Sequence, residues 1–288
     1  SPTVDVLANG SVLSPLASVT QVDFSNDPFT PDRGYRARFD LEHASRVTGS
    51  DFRYNRLELA GSTYRSVSRT AVLAFHARVG WVRAMQGTNQ ALGVVGTDDD
   101  PVVHPRKRFY AGGAQSVRGF GERQLGPRVL TVSPTALTDT TLSAPCTTTQ
   151  LQDRSCDPNI AGLGARAFFP QPLGGNGVIE GSVEYRFPLW PVHGVAGAVF
   201  LDGAVIGTNQ LVDFLGATAA ITPGFGLRMD TPVGPVRLDL GVRPTLAEDL
   251  PVVTQVPTAD GSARLVTLTT PRHYDPLDKS GSFLKKVF

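Results

Sequence analysis

Few residues of this chain are spaced for catalysis. The five histidines, His43, His76, His104, His193 and His273, form no HExxH or other metal-ligand pattern, and neither GxSxG nor GxxxxGK[ST] occurs. Asp98-Asp99-Asp100 carries enough charge to attract a cation but fits no calcium-loop pattern, so it reads as a solvated loop. Gly174-Gly175-Asn176-Gly177 reads as a turn into a strand rather than a phosphate cradle. No catalytic residue, metal site or cofactor is expected from these patterns. The remaining candidate is electrostatic. A single glycine-rich stretch, Arg108-Phe109-Tyr110-Ala111-Gly112-Gly113-Ala114-Gln115-Ser116-Val117-Arg118-Gly119-Phe120-Gly121, holds Arg118 near its end. A guanidinium is a permanently charged planar fork of donors, able to tie a loop to two carboxylates at once. Gly112, Gly113, Gly119 and Gly121 give this stretch unusual backbone freedom and allow close approach to other chain segments.

The rest of the sequence says what kind of scaffold could hold such a loop. Among 288 residues, 27 are basic and 26 acidic, a balance that leaves no electrostatic footprint for nucleic acid. With 30 glycines and 22 prolines, long helices are disfavoured. No run of about 18 apolar residues exists, which excludes a helical membrane span but not a membrane strand of about 9–11 residues. The chain opens Ser1-Pro2-Thr3 without a signal-peptide pattern, so the sequence is either cytosolic or a mature or truncated product.

Period-two alternation recurs over strand-length segments. Tyr35, Ala37, Phe39 and Leu41 fall opposite Arg36, Arg38, Asp40 and Glu42; Ile179, Val183, Tyr185 and Phe187 fall opposite Glu180, Glu184 and Arg186. Val236, Leu238, Leu240 and Val242 likewise oppose Arg237, Asp239 and Arg243. Strands are predicted at 2–8 (weak), 14–24, 33–44, 51–64, 68–84, 176–188, 194–206, 219–231 and 234–244. A slip of alternation in 51–64 predicts a bulge there. The segments 85–128 and 129–175 read as long connections, and 245–282 as irregular. Alternation alone fits a soluble sandwich, with apolar faces meeting in a core, or a membrane barrel, with apolar faces meeting lipid and charged faces lining a wet lumen. Strand length, repeated Arg and Glu on one face, and aromatics near strand ends (Phe52, Tyr54, Tyr64, Trp81) favour the barrel. Cys146 and Cys156 lie in a segment rich in Thr, Ser, Asp and Pro, where a disulfide would contribute about 2–3 kcal/mol in an oxidising compartment; two free thiols are the alternative.

The Phe-Tyr-Ala-Gly-Gly run followed by Val117-Arg118-Gly119-Phe120 resembles the loop of the outer-membrane assembly and secretion superfamily that includes BamA, TamA and the two-partner secretion pores. Pro28-Phe29-Thr30-Pro31-Asp32-Arg33-Gly34 and Thr231-Pro232-Val233-Gly234-Pro235 resemble its turns. The resemblance implies an all-β antiparallel transmembrane barrel in the bacterial outer membrane, with 1–288 a single partial barrel domain. It also implies a lumen-inserted loop at 105–128 and an extracellular loop at 129–175. Arg118 is expected to meet Glu184 on one inner-wall strand, and Phe200 and Asp202 on the next. By the same resemblance the chain begins mid-barrel, lacking about seven of about sixteen strands and any POTRA domain. Its end, Gly281 to Phe288, lacks the family's closing-strand spacing. The implied function is non-enzymatic insertion of unfolded outer-membrane protein clients into the lipid bilayer through a laterally opening barrel. Periplasmic or lipoprotein accessory subunits are implied as partners. The alternative is a pore exporting a partner polypeptide.

Overall fold

The computed structural model describes residues 11–85, 103–189, 194–207, 218–231, 234–243, 247–257 and 263–275. They divide into two compact units, one within 2–127 and 174–244, the other within 128–173 and 245–288.

The first unit is one antiparallel sheet built from β1 (Leu16–Asp23), β2 (Gly34–Ala44), β3 (Tyr54–Ser66), β4 (Val72–Ala84), β7 (Gly177–Pro188), β8 (Val195–Gly207), β9 (Thr218–Thr231) and β10 (Gly234–Gly241). The order of these eight strands follows the sequence, and among the described residues β1 and β10 are the edges of the sheet. At about 3.4 Å per residue, a strand as long as β3 runs more than 40 Å, enough to cross about 30 Å of hydrocarbon at a tilt of about 45°.

Burial decides between sandwich and barrel. Leu201 is 50% exposed and Leu238 61%, whereas Glu180 is 4% exposed, Glu184 6% and Asp202 1%. A sandwich would bury the first set and wet the second. Here one face of the sheet keeps its large apolar side chains uncovered while the charged face is the packed one, the polarity of a barrel wall in lipid.

Observed strand ends lie within four residues of those predicted for 14–244, and the predicted weak strand 2–8 lies outside the described residues. One expectation fails in the first unit. The predicted bulge is missing, because β3 pairs with both neighbours in unbroken register from Tyr54. Phe52 and Tyr54 explain the apparent slip. Both are buried at the start of the charged face, Tyr54 donating its hydroxyl to Glu42 Oε2 at 3.0 Å, so they belong with Arg56 and Glu58 and not with a lipid-facing aromatic belt.

The second unit is built from segments that the sequence did not mark as strands. Segments read as a connection (129–175) and as an irregular stretch (245–282) form a sheet ordered β13 (Ala263–Thr267), β12 (Val252–Pro257), β5 (Arg128–Val132), β6 (Phe168–Pro172), beside a β11 (Glu248–Leu250) and β14 (Arg272–Tyr274) pair. Helices α1 (Pro134–Leu137) and α2 (Thr148–Gln152) sit between β5 and β6, and Leu130, Leu137, Leu151, Val252 and Val266 share its core. Cys146 and Cys156 form a disulfide packed in that core. These strands are too short for alternation to reveal, and β5 finds β12 more than a hundred residues away, in parallel.

Candidate functional site

The register of four strands assembles the site. Across β7, β8, β9 and β10, Glu184 pairs with Phe200, Phe200 with Gly224 and Gly224 with Gly241. One row away, Ser182 faces Asp202; on the other side, Gly226 faces Asp239. All of these residues take the parity of the charged face. Glycine leaves the needed room: a Cβ on Gly224 would lie 2.2 Å from the Phe200 ring, and one on Gly226 would lie 2.0 Å from Asp239 Oδ1.

Arg118 reaches this floor from the loop. Its Nε donates to Asp202 Oδ2 at 2.7 Å and its Nη2 to Asp202 Oδ1 at 2.8 Å, a two-pronged grip, while Nη1 donates to Glu184 Oε2 at 2.6 Å. Its own backbone N–H also donates to Asp202 Oδ2, at 3.1 Å. The guanidinium carbon lies 3.4 Å from the centroid of the Phe200 ring, which rests in turn on Gly224. Burial works against the Arg118 charge, but the hydrogen bonds to Asp202 and Glu184 outweigh it, raising its pKa above the ordinary guanidinium value. Arg118 stays charged at any pH the protein meets.

More charge surrounds the grip. Arg228 donates to Glu184 Oε2 at 2.9 Å and to Asp239 Oδ1 at 2.5 Å, Arg186 to Glu184 Oε1 at 2.8 Å, and Asp239 approaches Arg118 Nη1 at 3.4 Å. Asp202 is the exception. Besides Arg118, its carboxylate accepts from Ser182 Oγ at 2.6 Å.

The structure thus brings Arg118, Glu184, Phe200 and Asp202 together. Val117 is fully buried beside them, and Phe120 is buried with the Arg243 guanidinium 4.9 Å from its ring. Gly112 and Gly119 hold positive φ, 100° and 96°, where a side chain would be strained. Gly113 turns the loop in the same way. Cys146 and Cys156 belong to the second unit and take no part in the site.

Sequence reasoning missed Asp239 and Arg228 as members of the cluster, although both showed charged-face parity; only the pairing of β9 with β10 places them beside Glu184. It also missed a second anchor on β2, β3, β4 and β7. Lys107 Nζ donates to Glu42 Oε2 at 2.7 Å, Arg78 Nη2 to the Tyr110 carbonyl at 2.7 Å, and Ser116 Oγ to Glu180 Oε2 at 2.9 Å. The Phe109 ring fills the space above Gly80 and lies 4.5 Å from the Arg56 guanidinium carbon.

Among the described residues, no group of three or more His, Cys, Asp or Glu side chains is placed to hold a metal ion. What the arrangement can do is mechanical: it fixes a long loop to two regions of one sheet face through charge, stacking and backbone contact.

The fold has counterparts among known proteins. The fold is similar to that of BamA from Haemophilus ducreyi lacking POTRA domains 1–3, with a TM-score of 0.56 and 17% identity, over 88% of this chain and 42% of that one. The chain therefore spans less than half the length of that structure. The Omp85 superfamily domain matches residues 15–249, a range that contains every strand of the large sheet and every residue of the arginine cluster. A match of that extent makes the chain a member of the Omp85 superfamily, a BamA-like β-barrel protein of the bacterial outer membrane.

Proposed function

We propose that this chain is part of a factor that assembles proteins into the outer membrane without chemical catalysis, by lateral opening of its barrel. Unfolded outer-membrane protein clients are its substrates, the bilayer is its medium, and periplasmic or lipoprotein subunits assist it. In this reading segment 105–128 lies in the lumen and 129–175 is extracellular. A client strand pairs with an exposed edge, gaining main-chain hydrogen bonds that drive the step without an energy source. The observation that carries the reading is the buried grip of Arg118 on Asp202 and Glu184. It commits three buried charges to holding a loop against the wall of a sheet, which suits a barrel that must keep its interior ordered while its edge changes partners.

Depletion of the full-length protein tests this. Folded levels of many outer-membrane barrel proteins, read by heat-modifiable gel mobility, should fall together. Normal barrel levels with loss of one exported polypeptide would overturn the reading in favour of a secretion pore.

A further inference from the structure

The loop tip meets more than β7 and β8. Asp239 and Gly241 on β10, and Arg243 just past its end, alternate along one side of the chain. Each meets a successive loop residue. Asp239 Oδ2 lies 3.4 Å from Arg118 Nη1, Gly241 lies against the Gly119 backbone, and the Arg243 guanidinium carbon lies 4.9 Å from the Phe120 ring centroid. The middle contact is the tightest. A Cβ on Gly241 would lie 2.7 Å from the carbonyl carbon and oxygen of Arg118 and from the nitrogen of Gly119, all backbone atoms that no rotamer change can move aside. In return, a Cβ on Gly119 would lie 3.2 Å from the Gly241 oxygen. Among the described residues, β10 is hydrogen-bonded within the sheet to β9 alone, so the loop tip gives an edge strand a second set of contacts.

We propose that the side of β10 bearing Asp239, Gly241 and Arg243 is a docking track for the loop tip, and that this contact couples the seating of the loop to the position of that strand. The loop stays seated while β10 holds its place, and β10 is held more firmly while the loop is seated. Such coupling is reciprocal by thermodynamic necessity. Its meaning for client insertion rests on the assembly reading above, whereas the coupling itself does not.

The test uses the full-length protein in lipid nanodiscs, with Val117→Cys as a buried thiol reporter and amide exchange read over 236–241. Gly241→Ala should speed maleimide labelling at position 117 by about tenfold or more, because the added methyl displaces backbone. Arg118→Ala should in turn raise amide exchange in β10 by about tenfold or more, a distant effect that a role confined to the loop would not produce. Gly61→Ala, whose Cβ would meet only the Arg36 carbonyl oxygen at 3.6 Å, should change neither. Wild-type labelling in Gly241→Ala, or unchanged β10 exchange in Arg118→Ala, overturns the proposal. Should Gly241→Ala fail to insert as a heat-modifiable barrel, the isosteric Asp239→Asn replaces it. An increase of about threefold is then expected, and none overturns the proposal. A protein whose coupling is intact but whose depletion spares barrel assembly refutes the assembly reading and leaves the track standing.

Discussion

Replacing Arg118 by lysine keeps the charge and discards the fork. The guanidinium reaches Asp202 through two atoms and Glu184 through a third, at 2.6–2.8 Å, and lies on the Phe200 ring. An ammonium is a point charge that serves one carboxylate well, so Arg118→Lys forfeits about half of the charge-assisted bonds and the stacking. At about 1.5 kcal/mol for each of two lost contacts, the loop loses about 3 kcal/mol of anchoring, or about 100-fold in its seated-to-unseated ratio. Arg118→Ala removes every side-chain contact and strands Asp202, which is 1% exposed and keeps two neutral donors, the Ser182 hydroxyl and the backbone N–H of residue 118. An uncompensated buried carboxylate of this kind costs about 3–5 kcal/mol. Glu184 and Asp239 suffer less, since Arg228 still holds both. Adding Asp202→Asn to Arg118→Ala should therefore restore about 1–2 kcal/mol, by neutralising the stranded charge. Labelling of a buried Val117→Cys thiol in the full-length protein reads the unseated population. If Arg118→Lys labels like wild type, or the double variant is additive, the reasoning from a forked, coupled grip is refuted.

The second anchor is tested at Gly80, where a Cβ would lie 2.3 Å from the Phe109 ring. Gly80→Ala should cost about 1–3 kcal/mol, seen as faster amide exchange over 109–111, with partial recovery on adding Phe109→Leu. Removing the disulfide by Cys146→Ser and Cys156→Ser should destabilise the second unit by about 2–3 kcal/mol, seen as faster proteolysis within 138–163. Labelling at position 117 should be unaffected. Burial, then the nearby cations Arg106, Lys107 and Arg108, hold the His104 pKa below its ordinary 6.5. The unfolded segment then binds the proton more readily than the folded one, so stability is full above 6.5 and is lost as pH falls through that value toward the folded pKa. Acidification from about pH 7.5 to about pH 5 should lower the protection of amides over 103–110 relative to their intrinsic exchange rates at each pH, and His104→Gln should abolish that loss of protection.

The large sheet was legible in the sequence because its physics is local: side chains alternate at every second residue, and most of its strands show it. Parity alone assigns Glu184 to the charged wall, and the resemblance of the loop named Phe200 and Asp202. The missing information was register. Asp239 and Arg228 join the cluster only because β9 and β10 pair so that Gly226 opposes Asp239, a relation that no single segment records. Tyr54 misled for a related reason, since an aromatic at a strand end looks the same whether it faces lipid or donates to Glu42. The small sheet was hidden most deeply. Val252 and Leu130 pair across a separation no periodicity reports, in strands of five and six residues.

A wall that is oily outside and ionic within has no stable existence in water. Outside a bilayer, the alternate apolar residues of that wall would meet water and favour contact between neighbouring copies. Its interior wiring can be completed only after those residues have dissolved in lipid.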